Sequence, residues 1–246
     1  MRAMILAAGK GSRLKPITDK IPKALVPIAG RPLLVWAAEK LIAAGVNSIV
    51  VNVHHHAGQL KHFISELDYP GIEFKVSDES GSLLDTGGAI MHAKHLLDNR
   101  EPFYVYNADV VSDIDLRAMF NTHKRSGALV TLAVTSRKSS RYFLWQNGQL
   151  CGWKNELTGQ SIITRNNAFT DCIPMAFSGI HIIDPKIFTL TAKTGSFPIN
   201  ELYLELAASE HIAPFAHSKQ FWADTGTPEK LMQAEKMLRN NRMKFI

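Results

Sequence analysis

Residues 1–25 read MRAMILAAGKGSRLKPITDKIPKAL, and this stretch decides the fold class. The apolar run 3–8 shows no alternation of polar positions. Such a run predicts a strand covered on both faces, as in a parallel sheet. It breaks at Gly9-Lys10-Gly11 into a loop with five cations, Lys10, Arg13, Lys15, Lys20 and Lys23, offset only by Asp19. Glycines let backbone N–H groups approach an anion closely, and Lys and Arg add charge-assisted hydrogen bonds. A buried strand running into such a loop predicts a cradle for phosphates.

Working outward, Pro32 opens a helix whose apolar stripe is Leu34, Ala37, Ala38, Leu41 and Ile42, and Gly45 ends it. Strand 48–53 (SIVVNV), a helix over 58–67 and strand 72–76 (IEFKV) complete a β-α-β-α-β series. That series predicts a parallel, doubly wound sheet with right-handed crossovers. A helix over 89–97, strand 103–107, a helix over 116–124 and strand 129–134 extend it. Beyond residue 140 the texture changes. Short pieces in 141–181 are separated by Asn147-Gly148, Gly152 and Thr158-Gly159, which reads as antiparallel hairpins. Strand 175–183, helices near 185–190 and 199–209, and strand 211–216 follow. A last helix has Thr227 as its cap and Pro228 at its first position. The expected architecture is α/β: a Rossmann-like, doubly wound, mostly parallel (mixed) sheet with helices on both faces and a small antiparallel β-hairpin region.

Composition narrows the class. No apolar run approaches the ~20 residues that span a bilayer, and the short run at 3–8 leads into cations rather than a cleavage site. The expectation is a cytoplasmic protein with no membrane contact. The two cysteines, Cys151 and Cys172, lack metal-site spacing and read as small core residues. Net charge is +6, concentrated near the N-terminus without aromatic residues interleaved, so an anionic small molecule is expected rather than nucleic acid.

Known glycine-loop fingerprints fit poorly. A dinucleotide-binding loop needs a third glycine where Leu14 stands, an immediate helix that Pro16 and Pro22 forbid, and an acid where Asn52 and His54 stand. No Gly-Lys-Ser/Thr closes the loop as an ATPase would require. Leu6-Ala7-Ala8-Gly9-Lys10-Gly11-Ser12-Arg13-Leu14-Lys15-Pro16-Ile17-Thr18, followed by Pro22-Lys23-Ala24-Leu25-Val26-Pro27-Ile28-Ala29-Gly30-Arg31-Pro32, instead resembles the signature of the sugar-phosphate nucleotidyltransferase superfamily. The motifs at 81–90, 106–109, 177–180 and 222–227 carry the resemblance along the chain. They are most similar to the small N-acetylmuramic acid 1-phosphate uridylyltransferases.

The resemblance implies one nucleotidyltransferase domain over 1–246. Residues 1–135 would form the nucleotide-binding half. Residues 136–246 would bind the sugar and complete the metal site. It implies transfer of a nucleoside monophosphate from an NTP, UTP favoured, to a sugar 1-phosphate, by a monomer or small homo-oligomer. Arg13 would hold pyrophosphate, and Lys23 would meet the α-phosphate and the incoming sugar phosphate, where negative charge develops. Leu6, Ala8, Gly9, Gly11, Ser12, Glu79 and Gly87 would bind the nucleotide, with Gly87-Gly88 opening a helix toward it. Asn107, Ser178 and Gly179 would face the sugar. Asp109 and Asp224 would hold Mg2+, a hard cation that keeps few protein carboxylates. Asp115 reads as a helix cap.

Two departures from the family pattern stand out. Ala108 replaces a glycine before Asp109, and the usual Val-Glu-Lys-Pro anchor is missing, with Lys154 near its place. Alternatives are a GTP/mannose 1-phosphate or CTP/phosphocholine reaction, or a non-catalytic sensor. Retention of Arg13, Lys23, Asp109 and Asp224 favours the enzyme.

Overall fold

The structure is a computed structural model and describes residues 1–164, 171–218 and 220–240. In chain order the strands are β1 (Arg2–Leu6), β2 (Pro27–Ile28), β3 (Arg31–Pro32), β4 (Ser48–Val53), β5 (Glu73–Asp78), β6 (Phe103–Asn107), β7 (Val110–Ser112), β8 (Val130–Thr135), β9 (Arg141–Gln146), β10 (Gln149–Asn155), β11 (Ser161–Ile163), β12 (Ile173–Ile183), β13 (Ile212–Ala216) and β14 (Trp222–Asp224). The helices are α1 (Leu33–Ala43), α2 (Ala57–Ser65), α3 (Asp85–His92), α4 (Lys94–Leu97), α5 (Leu116–Ser126), α6 (Ile187–Leu190), α7 (Ile199–Leu206) and α8 (Pro228–Asn240).

β5, β4, β1 and β6 lie side by side and parallel. The next strand, β12, runs antiparallel to β6 and carries both β8 and the antiparallel arm β9-β10-β11. β13 returns parallel to β8. The mixed, mostly parallel sheet expected from the sequence is therefore present, with the hairpin arm at one side. Part of the expected hairpin stretch, 165–170, lies outside the described residues.

The uniformly apolar strands have a clear physical cause. Successive side chains point to opposite faces. In β1, Met4 joins the core that includes α3 and α7, while Ala3 and Ile5 join the core that includes α1, α2 and α5. Phe103 and Val105 of β6 share the first core, and Tyr104 and Tyr106 the second. Both faces are covered by helices, so no strand position can be polar without a partner.

A third, smaller core joins the N-terminal loop to the end of the chain. Leu14, Val26, Ile28 and Leu33 pack with Val111, Phe221, Ala234 and Leu238. Burial of these side chains, at roughly 25 cal/mol per Å² of apolar surface, brings the cationic loop against α8 and the β7–β14 ribbon. Local signals hold where they were legible. The Asp115 side chain caps α5 by accepting from the Ala118 N–H (2.9 Å). Gly45 follows α1 at φ +95°. Cys151 is buried and Cys172 half-buried, both free thiols with sulfurs 2.6 Å apart, a proximity the sequence does not reveal. Among the described residues no helix is long and apolar enough to cross a membrane.

Candidate active site

The carboxyl ends of parallel strands are where ligands bind in open α/β sheets, because each strand delivers the start of a new loop there. Here β1, β4, β5 and β6 end around a cleft of about 410 Å³. Its wall contains Leu6, Ala7, Ala8 and Gly9 after β1, and Lys23 and Ala24 from the loop beyond. It also contains Asn52, Glu79, Leu83, Asp85, Thr86, Asn107, Ala108, Asp109 and Ser196.

Two buried polar side chains organise the floor. The Ala7 N–H donates to Asn52 Oδ1 (2.7 Å), and Asn52 Nδ2 donates to Glu79 Oε1 (2.8 Å). The Leu84 N–H approaches Glu79 Oε2 at 3.4 Å. Burial pushes the Glu79 carboxyl up, and the Asn52 hydrogen bond opposes that shift. The chain thus spends a buried amide on holding one carboxylate in the cleft wall, an arrangement that suits recognition of a ligand N–H.

The two halves of the chain meet at the other end of the cleft. Lys23 is ion-paired with Asp109. Asp224 stands opposite Val110 across the β14–β7 ribbon, and the Thr225 N–H donates to the Asp109 carbonyl oxygen (2.8 Å). The ribbon therefore fixes Asp109 and Asp224 as backbone neighbours despite their distance in sequence. Gly226 completes the contact. A Cβ there would sit 2.9 Å from Arg13 Nη2 and 3.2 Å from Asp224 Oδ1, so Arg13 lies against the same turn. Asp224 also takes both oxygens to Lys230 Nζ (2.8 and 2.6 Å).

These two acids fit a Mg2+ ion in one respect that can be checked. Each carboxylate already faces a lysine ammonium, so each stands where positive charge is held, and both supply hard oxygen donors. No group of three metal-ligating side chains converges among the described residues. A pair of carboxylates is enough for an ion that completes its shell with phosphates and water. Ala108 is tolerated before Asp109 because it does not take a positive φ.

Other expected residues sit elsewhere. Gly11 adopts φ +63°, its carbonyl accepts from Thr18 Oγ1 (2.8 Å), and a Cβ would meet Thr18 Cγ2 at 2.7 Å. It shapes the loop without lining the cleft, and Ser12 beside it is exposed. Gly87 does not offer its N–H to a ligand. α3 starts two residues earlier, and the Gly87 and Gly88 N–H groups both donate to the Phe197 carbonyl oxygen (2.9 and 3.3 Å). A Gly87 Cβ would strike the Phe197 ring at 2.3 Å, so this glycine is a packing requirement. Ser178 is fully buried and its hydroxyl pairs with His217 Nε2 (2.8 Å), so it does not face a sugar either. Gly179 lies where the β12–β8 register slips, at φ +74°, and a Cβ would meet Asn107 Nδ2 at 2.8 Å. It acts beneath the cleft, by leaving room for Asn107. Lys154 is ion-paired with Glu156 (2.5 Å).

Sequence reasoning missed Asn52, Asp85, Thr86 and Ser196. Asn52 had a signal: one polar residue in an otherwise apolar strand buried on both faces must have a partner. Two members of the histidine run 54–56 are engaged. His54 Nδ1 contacts the Glu79 carbonyl oxygen (2.7 Å) and His56 Nε2 that of Thr18 (3.2 Å).

A family model described as nucleotidyl transferase matches residues 2–143. The chain belongs to the nucleotidyl transferase family. The N-acetylmuramate alpha-1-phosphate uridylyltransferase of Caulobacter vibrioides is 30% identical over 244 residues, covering 96% of each chain. The mannose-1-phosphate guanylyltransferase catalytic subunit beta of Xenopus tropicalis is 29% identical over 240 residues, covering 94% of this chain and 63% of that one. A solved UDP-glucose pyrophosphorylase from Acinetobacter baumanii superposes with a TM-score of 0.81 at 15% identity, covering 99% and 95% of the two chains. That likeness speaks for the fold alone. Lys23 and Asp109 of the cleft wall, and Arg13 and Asp224 against the adjoining Gly226 turn, thus sit in an enzyme of nucleotidyl transfer.

Proposed function

We propose that this enzyme transfers uridine monophosphate from UTP to a sugar 1-phosphate, releasing pyrophosphate. Such substrates support a cytoplasmic location. The observation that carries the reading is a cleft wall that holds both the Lys23–Asp109 pair and Glu79, with Arg13 and Asp224 against the Gly226 turn that adjoins Asp109.

The chemistry follows from charge. An oxygen of the sugar phosphate attacks the α-phosphorus in line, and pyrophosphate leaves. Both partners are anions, so fixed cations lower the barrier by meeting charge where it develops. Lys23, held in the cleft wall by Asp109, offers its ammonium to oxygens at the reacting phosphorus. Arg13 offers planar N–H donors to the departing pyrophosphate. Asp109 and Asp224 would hold Mg2+, which when bound neutralises phosphate charge.

Glu79 bears on the base. An ionised carboxylate only accepts hydrogen bonds. It suits uracil, whose ring N3 carries a hydrogen, and guanine, whose N1 does. Adenine N1 and cytosine N3 carry none, so those bases could meet the carboxylate only through their exocyclic amino groups, with a ring lone pair beside it. The uridylyltransferase relative, matched over 96% of both chains, favours UTP and an N-acetylmuramate type of acceptor. A GTP and mannose 1-phosphate pair is the second reading, favoured by the guanylyltransferase relative.

The test is pyrophosphate release with MgCl2, each of four triphosphates and a panel including N-acetylmuramate 1-phosphate and mannose 1-phosphate. UTP with the N-acetylmuramate ester should be turned over best, and EDTA should abolish release. No release with any pair removes the transfer reading, and a preference for ATP or CTP removes the role given to Glu79.

A further inference from the structure

We propose that Arg137 is the cation that receives the phosphate of the acceptor sugar, an assignment that rests on the transfer reaction above. Arg137 follows β8, and its guanidinium carbon lies 4.2 Å from the centre of the Trp222 ring system. Trp222 and Asp224 are two residues apart in β14, so their side chains share one face of the ribbon. The guanidinium therefore stands on the side of the ribbon that carries Asp224, and its charge is felt there.

The stack is anchored from the sheet. Arg137 Nη2 donates to the Phe177 carbonyl oxygen (2.9 Å), and Trp222 Nε1 donates to that of Ser178 (2.7 Å). Both acceptors precede Gly179, the residue that leaves room for Asn107 in the cleft wall. A rigid chain of contacts thus connects the guanidinium to the part of β12 beneath the cleft.

The group is held but not neutralised. Half-burial strips water from it and lowers its pKa. Its Nε is buried without a partner, and among the described residues its hydrogen-bond partner is a carbonyl, not a carboxylate. Asp224, the nearby acid, gives both oxygens to Lys230. Elsewhere the chain pairs such cations: Arg31 with Glu39 and Lys193 with Glu205. A partly desolvated, unpaired guanidinium costs free energy unless an anion arrives. A phosphate monoester matches its planar donor array. The competing cation from the hairpin arm, Lys154, is already engaged by Glu156. Lys23, paired with Asp109, serves the reacting phosphorus and Arg13 lies against the Gly226 turn, so Arg137 is a further cation on the Trp222 side of the ribbon.

The experiment compares wild type, Arg137→Met and Arg137→Lys. Met keeps an apolar stem on Trp222 and removes the charge; Lys keeps the charge without the planar fork. Tm, KM for the triphosphate and KM for the sugar 1-phosphate are measured for each. Arg137→Met should raise KM for the sugar 1-phosphate about 10- to 100-fold, the loss expected for one charge-assisted contact. KM for the triphosphate should stay within about twofold, and Arg137→Lys should restore part of the loss. Calorimetric titration of the sugar 1-phosphate should show the same weakening without turnover. An unchanged sugar-phosphate KM, or equal increases in both KM values, overturns the assignment while leaving the transfer reading in place. A fall in Tm with both KM values preserved overturns it too, by making Arg137 a support for Trp222. A wild type inactive with every pair removes the transfer reading and this assignment with it.

Discussion

Replacing Asn52 by alanine should unmake the floor of the cleft. Asn52 is 3% exposed and does two things at once: its oxygen accepts from the Ala7 N–H at 2.7 Å, and its nitrogen donates to Glu79 at 2.8 Å. Alanine leaves the Ala7 N–H buried without an acceptor, at a cost of about 1–3 kcal/mol, and removes a hydrogen bond to a buried carboxylate, about 1.5–3 kcal/mol. The sum is about 2.5–6 kcal/mol. For a chain of this size each kcal/mol moves Tm by roughly 2–4 °C, so Tm should fall by about 10 °C. Function should change in a particular direction. The Asn52 hydrogen bond lowers the Glu79 pKa against the upward push of burial. Without it Glu79 protonates at a higher pH, and its neutral form loses acceptor capacity. KM for the triphosphate should then rise, with the acid limb of kcat/KM displaced to higher pH. The assays are thermal denaturation at neutral pH and kcat/KM against pH for both proteins. A Tm within about 2 °C of wild type, together with an unmoved acid limb, would refute the claim that Asn52 and Glu79 act as one unit.

Stability should fall in acid through two buried histidines. Burial lowers the His123 pKa to about 4 and that of His181 to about 3, from 6.5. The unfolded chain binds their protons and the native state does not, so stability is full above about pH 6.5 and is lost as pH falls toward 4 and 3. At pH 5 each contributes a loss of about 2 kcal/mol; urea unfolding at pH 5 and 7.5 should differ by about 4 kcal/mol, His123→Gln should remove about half, and equal stability at both pH values would refute this. Gly179→Ala forces a side chain into φ +74° and to within 2.8 Å of Asn107 Nδ2. The left-handed backbone alone costs roughly 1–2 kcal/mol, so Tm should drop by about 5 °C and turnover should fall as Asn107 shifts; wild-type Tm and kinetics would show that the glycine is dispensable.

Much of this enzyme was readable in its residues. The unalternating apolar strands gave a sheet covered on both faces, because hydrophobic burial acts on each residue locally and leaves a pattern. The loop of Gly9, Arg13 and Lys23 carries an expectation of an anion site for the same reason: its residue types state their chemistry wherever they fold. Asp109 and Asp224 stand out only through the family resemblance, and nothing in their spacing could bring them together.

Tertiary structure decided that part. The β7–β14 ribbon makes Asp109 and Asp224 neighbours, and the small core around Leu14, Val111 and Leu238 carries the loop to them. It also reassigned residues by where their polar groups were already engaged. Gly87 gives its N–H to Phe197, Ser178 gives its hydroxyl to His217, and Asn52 joins Ala7 to Glu79. Sequence by itself determined which residues wanted burial or an anion, since those preferences belong to single side chains. Which groups remained free to meet a substrate depended on long-range pairing, and only the folded chain settles that.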